Sequence, residues 1–232
     1  MRQMKFWAFA LAVVLLAGCH HHSKTSHCKV SPDEVFGRHY SAADFGIWHV
    51  DDFNGRYFAI VDSVLKTLPD SVEYECNATN GLVVDTTDTA AVSRALGKGL
   101  IFMAETGVKL RPYWRSLNGN DMFFQLIFIY GKRMGCTDDS APIDASHISN
   151  ASYSFNSSGQ VEVNLVFDGE GTELVRQFTA ESIGHPGAIV LGDRLLSTPM
   201  VQAEISGGRC SISGLSVEEA CALAQILNNR QP

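Results

Sequence analysis

The period of apolar and polar positions changes several times along the 232-residue chain, and each change marks an element. Tyr57, Ile60, Val61, Val64, Leu65 and Leu68 recur at helical spacing, which predicts a helix over 55–68 ended by Pro69. Residues 72–76 alternate as a strand does, Asn80-Gly81 is a turn pair, and 82–84 is a short strand. Asp88 opens a second helix with Ala91, Val92, Ala95 and Leu96 inward, stopped by Gly97 or Gly99. Strands follow at 108–114 and 122–130, joined through Asn118-Gly119-Asn120; Phe123 to Ile129 is apolar on both faces, which predicts a central, covered strand. Residues 29–50 show no clear period.

Beyond a polar stretch at 131–146 the pattern resumes with a hairpin, 148–155 against 160–167, in which Val161, Val163 and Leu165 face one way and Glu162 and Asn164 the other. Asp168 precedes a helix with Leu174, Val175, Phe178 and Ile183 inward and Gly184 at its end. Residues 188–191 read as a buried strand, turned by Gly192-Asp193 into 194–197, which Pro199 confines to a sheet edge. Gly207-Gly208 leads into a strand at 209–213. Ser216 and Glu219 form a capping box for a last helix with Val217, Ala220, Cys221, Ala224 and Leu227 inward. Strands and helices mix without strict alternation, so the class is α+β, with mixed or antiparallel sheets, helices on one face and two subdomains. The expected division is 1–18 leader, 19–50 polar and irregular, 51–146 N-terminal α+β unit and 147–232 C-terminal unit.

Composition sharpens this. The chain is 45% hydrophobic and 19% charged, as globular proteins are. Eighteen basic against 25 acidic residues give a net charge of −7, which argues against a nucleic-acid partner. Arg2 and Lys5 precede an apolar run from Phe6 to Leu16, the order of a secretory leader. The run ends in Leu16-Ala17-Gly18-Cys19, which resembles the bacterial lipobox and makes Cys19 the expected lipid-attachment residue. Cleavage before Cys19 leaves 16 basic against 25 acidic residues, so acyl chains and not charge would hold the protein to a membrane. The absence of an acidic cluster after Cys19 favours the periplasmic side.

Candidate chemistry is sparse. His20, His21 and His22 are either a metal-binding tract or a polar tether, and the tether is preferred because adjacent histidines on a loose strand do not preorganise a site. Cys28, Cys76, Cys136, Cys210 and Cys221 are an odd set whose pairing is open; Cys210 and Cys221 read as core thiols at least as well as a bridge. Asp51-Asp52 and Asp138-Asp139 read as solvated surface acids. Gly207-Gly208-Arg209 is either an anion cradle or, preferably, a structural turn. Asp139-Ser140-Ala141 resembles the sites that Bacteroidota glycosylate on exported proteins. The sequence predicts no catalytic residue, no metal site and no cofactor.

The C-terminal modules carry a resemblance. They are Asn150-Ala151-Ser152 with 158–165, Phe167-Asp168, Gly171-Thr172, Phe178 through Gly184, 188–191, Leu196-Ser197-Thr198-Pro199, 205–209, Ile212-Ser213-Gly214 and Glu218-Glu219-Ala220. In this order, over 148–229, they resemble the head subdomain of the first large periplasmic domain of SecD, the protein-export family. The stretch from Val84 through Trp114 is more weakly similar to the region before the head in SecD of the Bacteroidota. The family has a membrane helix before this domain and a proton-coupling bundle after it. This chain instead reads as a stand-alone lipoprotein, so proton-driven pulling is not implied. What the resemblance implies is the fold and a surface for unfolded exported polypeptide or for Sec translocon components. Ser197, Pro199, Gly207, Gly208 and Arg209 then become candidates for polypeptide contact or structural turns. A scaffold lipoprotein that keeps the fold without binding peptide is the alternative.

Overall fold

The computed structural model describes residues 29–51, 53, 55–97, 101–103, 108–117, 122–131 and 140–229. The leader with Cys19, the tract 20–22, Cys28, the turn at 118–120, Cys136 and the pair 138–139 lie outside them. In chain order the elements are α1 (Pro32–Phe36), β1 (Phe45–Val50), α2 (Gly55–Leu65), β2 (Tyr74–Asn77), β3 (Gly81–Asp85), α3 (Thr89–Leu96), β4 (Ile101–Met103), β5 (Val108–Ser116) and β6 (Phe123–Tyr130). There follow β7 (Ile143–Asp144), β8 (Ile148–Phe155), β9 (Val161–Phe167), α4 (Gly169–Glu181), β10 (Gly187–Leu191), β11 (Arg194–Ser197), β12 (Arg209–Ser213) and α5 (Val217–Asn228).

Among the described residues, nine strands form one sheet and β12, β9 and β8 form a second. β6 organises the large sheet. One edge pairs with β5 from Phe124 to Ile129, while β3 takes the start of its other edge and β1 the end. β1 passes the sheet on to β10, and β10 to β11. All pairings are antiparallel, and the sheet is continuous across 131–146: β1 on one side of that stretch pairs at five positions with β10 on the other.

The apolar pattern explains the two faces. Leu82, Val84, Leu126 and Phe128 pack against Tyr57, Val61 and Val64 of α2 and Val92 of α3. Further along the same face, Phe45, Ile47, Ile189 and Leu191 join Val175 and Phe178 of α4 and the buried stripe of α5 in the largest core. The opposite face carries Trp48, Ile127, Ile129, Ala188 and Val190. It curls on itself: the Tyr113 hydroxyl of β5 donates to Gly192 O at 2.7 Å, beyond the far end of β10. Helices thus lie on one face of the large sheet, as expected, and the fold is α+β.

Several sequence expectations change. Residues 29–50 contain α1 and β1 and are not irregular throughout. β1 is covered on both faces, so its run Phe45-Gly46-Ile47-Trp48 shows neither period. Gly46 is needed there, since a Cβ would sit 2.6 Å from Ala141 Cβ and from Trp48 Nε1. Ile183 and Val217, read as inward, are 52% and 42% exposed because each sits at a helix end beyond the packed turns. Ala95 is also exposed. Asp51, read as a surface acid, is 2% exposed and paired with Arg56. Cys210 is a buried free thiol, whereas Cys221 is disulfide-bonded, so the two do not bridge each other.

Candidate functional site

The turn between β10 and β11 is fixed from outside. Tyr40 donates its hydroxyl to Asp193, and Arg38 pairs with the same carboxylate at 2.6 Å. The Tyr40 hydrogen bond, more than the guanidinium, holds the Asp193 carboxyl below the usual carboxylate range. From this turn β11 runs along β10, with a bulge at Leu196 where Ile189 opposes Ser197 but Val190 opposes Leu195. β11 is the outermost strand at this end of the sheet.

The chain keeps its line past Ser197. Gly187 N–H donates to Pro199 O at 2.9 Å, Val201 N–H to His185 O at 3.1 Å, and Gly184 N–H to Val201 O at 2.9 Å. Pro199 and Val201 therefore turn their backbone groups toward β10. By the alternation of an antiparallel ladder, Thr198 and Met200 turn theirs outward. Met200 sits opposite Pro186 and is 36% exposed. The outward backbone groups of Thr198 and Met200 have no backbone partner among the described residues, while β11 itself lies beside β5.

Arg115 of β5 lies behind this edge. Its guanidinium donates to Thr198 Oγ1 at 2.8 Å and to Gln125 Oε1. Gln125, 1% exposed, in turn donates to Asn80 O at 2.5 Å. Burial pulls the Arg115 pKa below the usual arginine range. No carboxylate among the described residues pairs with it. Arg38, Arg56, Arg176 and Arg194 each have one.

The selected residues fall in two places. Ser197 ends β11, and its hydroxyl meets Ser213 O at 3.4 Å; Pro199 is buried one residue past Thr198. Gly207, Gly208 and Arg209 lie at the other end of β12, roughly 13 Å away along the strand at its ordinary rise. Gly208 has φ +65°, and a Cβ there would meet Thr172 Oγ1 at 2.5 Å, while its carbonyl accepts Phe167 N–H at 2.9 Å. The structure gives this turn a local packing role. Arg115 and Thr198 were not selected from the sequence, although the alternation Arg111, Tyr113, Arg115 beside an apolar central strand was a usable signal.

A cavity of about 980 Å³ lies elsewhere, lined by His39, Tyr40, Asp144, Gln225 and Asn228 among others. No group of His, Cys, Asp and Glu able to hold a metal occurs among the described residues.

Residues 131–230 match the family model of SecDF, P1 head subdomain. The protein translocase subunit SecD of Magnetococcus marinus is 40% identical over 86 residues, 37% of this chain and 16% of that protein. The SecD subunit of Petrotoga mobilis is 28% identical over 151 residues, 63% of this chain and 30% of that protein. A stretch of that length cannot fit within the head and begins before residue 131. A solved structure of SecDF, described as a membrane component that enhances protein export, covers 79% of this chain and 92% of its own, with 20% identity and a TM-score of 0.38. The C-terminal part of the chain is thus similar to the SecD head, and the chain spans less than a third of these SecD relatives.

Proposed function

We propose that the protein is a non-catalytic, lipid-anchored periplasmic protein that binds extended polypeptide during protein export. The similarity to the SecDF head supports the export setting. The observation that carries the binding role is the edge at Thr198 and Met200, whose outward backbone groups have no partner among the described residues and where Met200 is exposed. An edge of this kind recruits an extended chain through backbone hydrogen bonds, which read no particular sequence and so suit varied clients. The anchor rests on Cys19. No helix of the described residues is long and apolar enough to cross a membrane.

Two measurements test the reading. Cys19→Ala should leave the leader uncut or release the protein from the membrane fraction; a variant that fractionates and migrates like the parent removes the anchor from the account. A permanently unfolded polypeptide should bind the full chain with a Kd between micromolar and millimolar, about −8 to −4 kcal/mol. Met200→Pro removes an outward N–H with no backbone partner among the described residues and should weaken binding at least tenfold. A parent that shows no affinity in this range would leave the scaffold reading in its place.

A further inference from the structure

We infer that Cys221 of α5 is bonded to Cys28, so that the covalent path from the proposed lipid at Cys19 enters the fold at α5 as well as through Lys29. The bond itself needs no lipid; its role as a second attachment of the domain rests on the proposed anchor.

Cys221 is disulfide-bonded, whereas Cys76 and Cys210 are free thiols. The chain has six cysteines, so the partner is Cys19, Cys28 or Cys136. A Cys19 held as a thioether to lipid has no thiol left to offer. Cys136 is followed five residues on by Ala141, which packs on the face of the large sheet opposite the helices: a Cβ on Gly46 would meet Ala141 Cβ at 2.6 Å, beside Trp48. α5 lies on the other face, in the core that holds Phe45 and Ile47. The sheet therefore stands between that end of the stretch and α5.

The chain leading into α1 is placed differently. α1 packs against α5, and Val30 packs against the core that α5 shares. Pro32 and Gln225 line one cavity, and Gln225 Nε2 stands 3.8 Å from Cys221 Sγ. A disulfide needs Cα atoms within about 7 Å of each other. Position 28 is four residues before Pro32, and an extended chain of that length reaches about 13 Å, enough to carry it to the Cys221 side of α5.

Forming the bond takes two protons and two electrons from the Cys28 and Cys221 thiols. A disulfide oxidant of the envelope accepts them by exchange and leaves as two thiols. The consequence is positional. Fully extended, the chain from Cys19 to Cys28 spans at most about 30 Å, so the bond holds α5 within that distance of the lipid. A pull between domain and anchor is then borne by α5, whose inner stripe is buried in the largest core, and not by the five-residue α1 alone.

The test uses the full chain isolated from the envelope, with thiols alkylated in denaturant before any reduction. Peptide mapping should find Cys28 joined to Cys221, with Cys76 and Cys210 alkylated. Cys28→Ser should expose Cys221 to alkylation in denaturant, and Cys136→Ser should not. With a protease site inserted between Lys29 and Val30, the cut domain should stay with the membrane fraction until a reductant is added. A Cys136–Cys221 bond, or an alkylated Cys221 in the parent, overturns the inference and leaves the anchor standing. A Cys19–Cys221 bond overturns both. Release of the cut domain without reductant overturns the second attachment. Absence from the membrane fraction before cutting overturns the anchor, while the peptide map still decides the bond.

Discussion

Tyr57 shows how much one side chain does in this protein. Its hydroxyl donates to Leu126 O at 2.8 Å and accepts Leu82 N–H at 2.9 Å, so one oxygen joins α2 to both β6 and β3. Burial pushes the phenol pKa above its ordinary value, and it stays protonated. Tyr57→Phe strands the Leu82 N–H in the core and should destabilise the fold by about 1–3 kcal/mol in urea unfolding. A loss within error of zero would mean that water satisfies that N–H. The two free thiols among the described residues differ in burial. Burial pushes the Cys210 thiol up to about 12, whereas Cys76 lies on the exposed strand β2. Alkylation of the native protein followed by peptide mapping should modify Cys76 and spare Cys210 until denaturant is added. Asp193 supplies a pH test. Its depressed carboxyl pKa means the stabilisation is present above the ordinary carboxylate range and fades as pH falls through the lower folded value. Tyr40→Phe should move its midpoint, followed by carboxyl chemical shift, back toward the ordinary value.

At the scale of elements, the sequence was legible where one face is wet. β9 alternates because it is half covered, and the capping box of α5 appears in the structure as Glu219 N–H donating to Ser216 Oγ at 3.1 Å. Ser216→Ala should reduce stability by about 1 kcal/mol, the usual loss of an N-cap. β6 announced its central place by being apolar on both faces, and it touches three strands. β1 is equally covered but is interrupted by Gly46 and His49, so it did not stand out. The site was less legible for a different reason. Ser197 and Pro199 were visible as the end of an edge strand, but Arg115 meets Thr198 across 83 residues of sequence, and only the curl of the sheet brings them together. No local period encodes that meeting. The glycine turn was legible as a turn, while its reason, the Thr172 side chain packed under Gly208, came from tertiary packing.

At the scale of the whole molecule, the question is which residues must travel together. β1 pairs with β10 along its length, and α1 packs against α5, so residues 29–50 contribute to the same core as 143–229. We expect a fragment starting at 147 to lose the β1 partner of Ile189 and Leu191 and to unfold at lower urea than one that also retains residues 29–50. Equal midpoints would mean that the C-terminal unit is complete from 147. The central claim is that the edge at β11 and its continuation to Val201 receives an extended polypeptide. Amide hydrogen exchange on the full chain, with and without a saturating unfolded polypeptide, tests it most directly. The account predicts new protection concentrated at residues 194–201, including the outward N–H groups of Thr198 and Met200. Protection confined to β2, or to the cavity beside Tyr40 and Asn228, with none at 194–201, would contradict it.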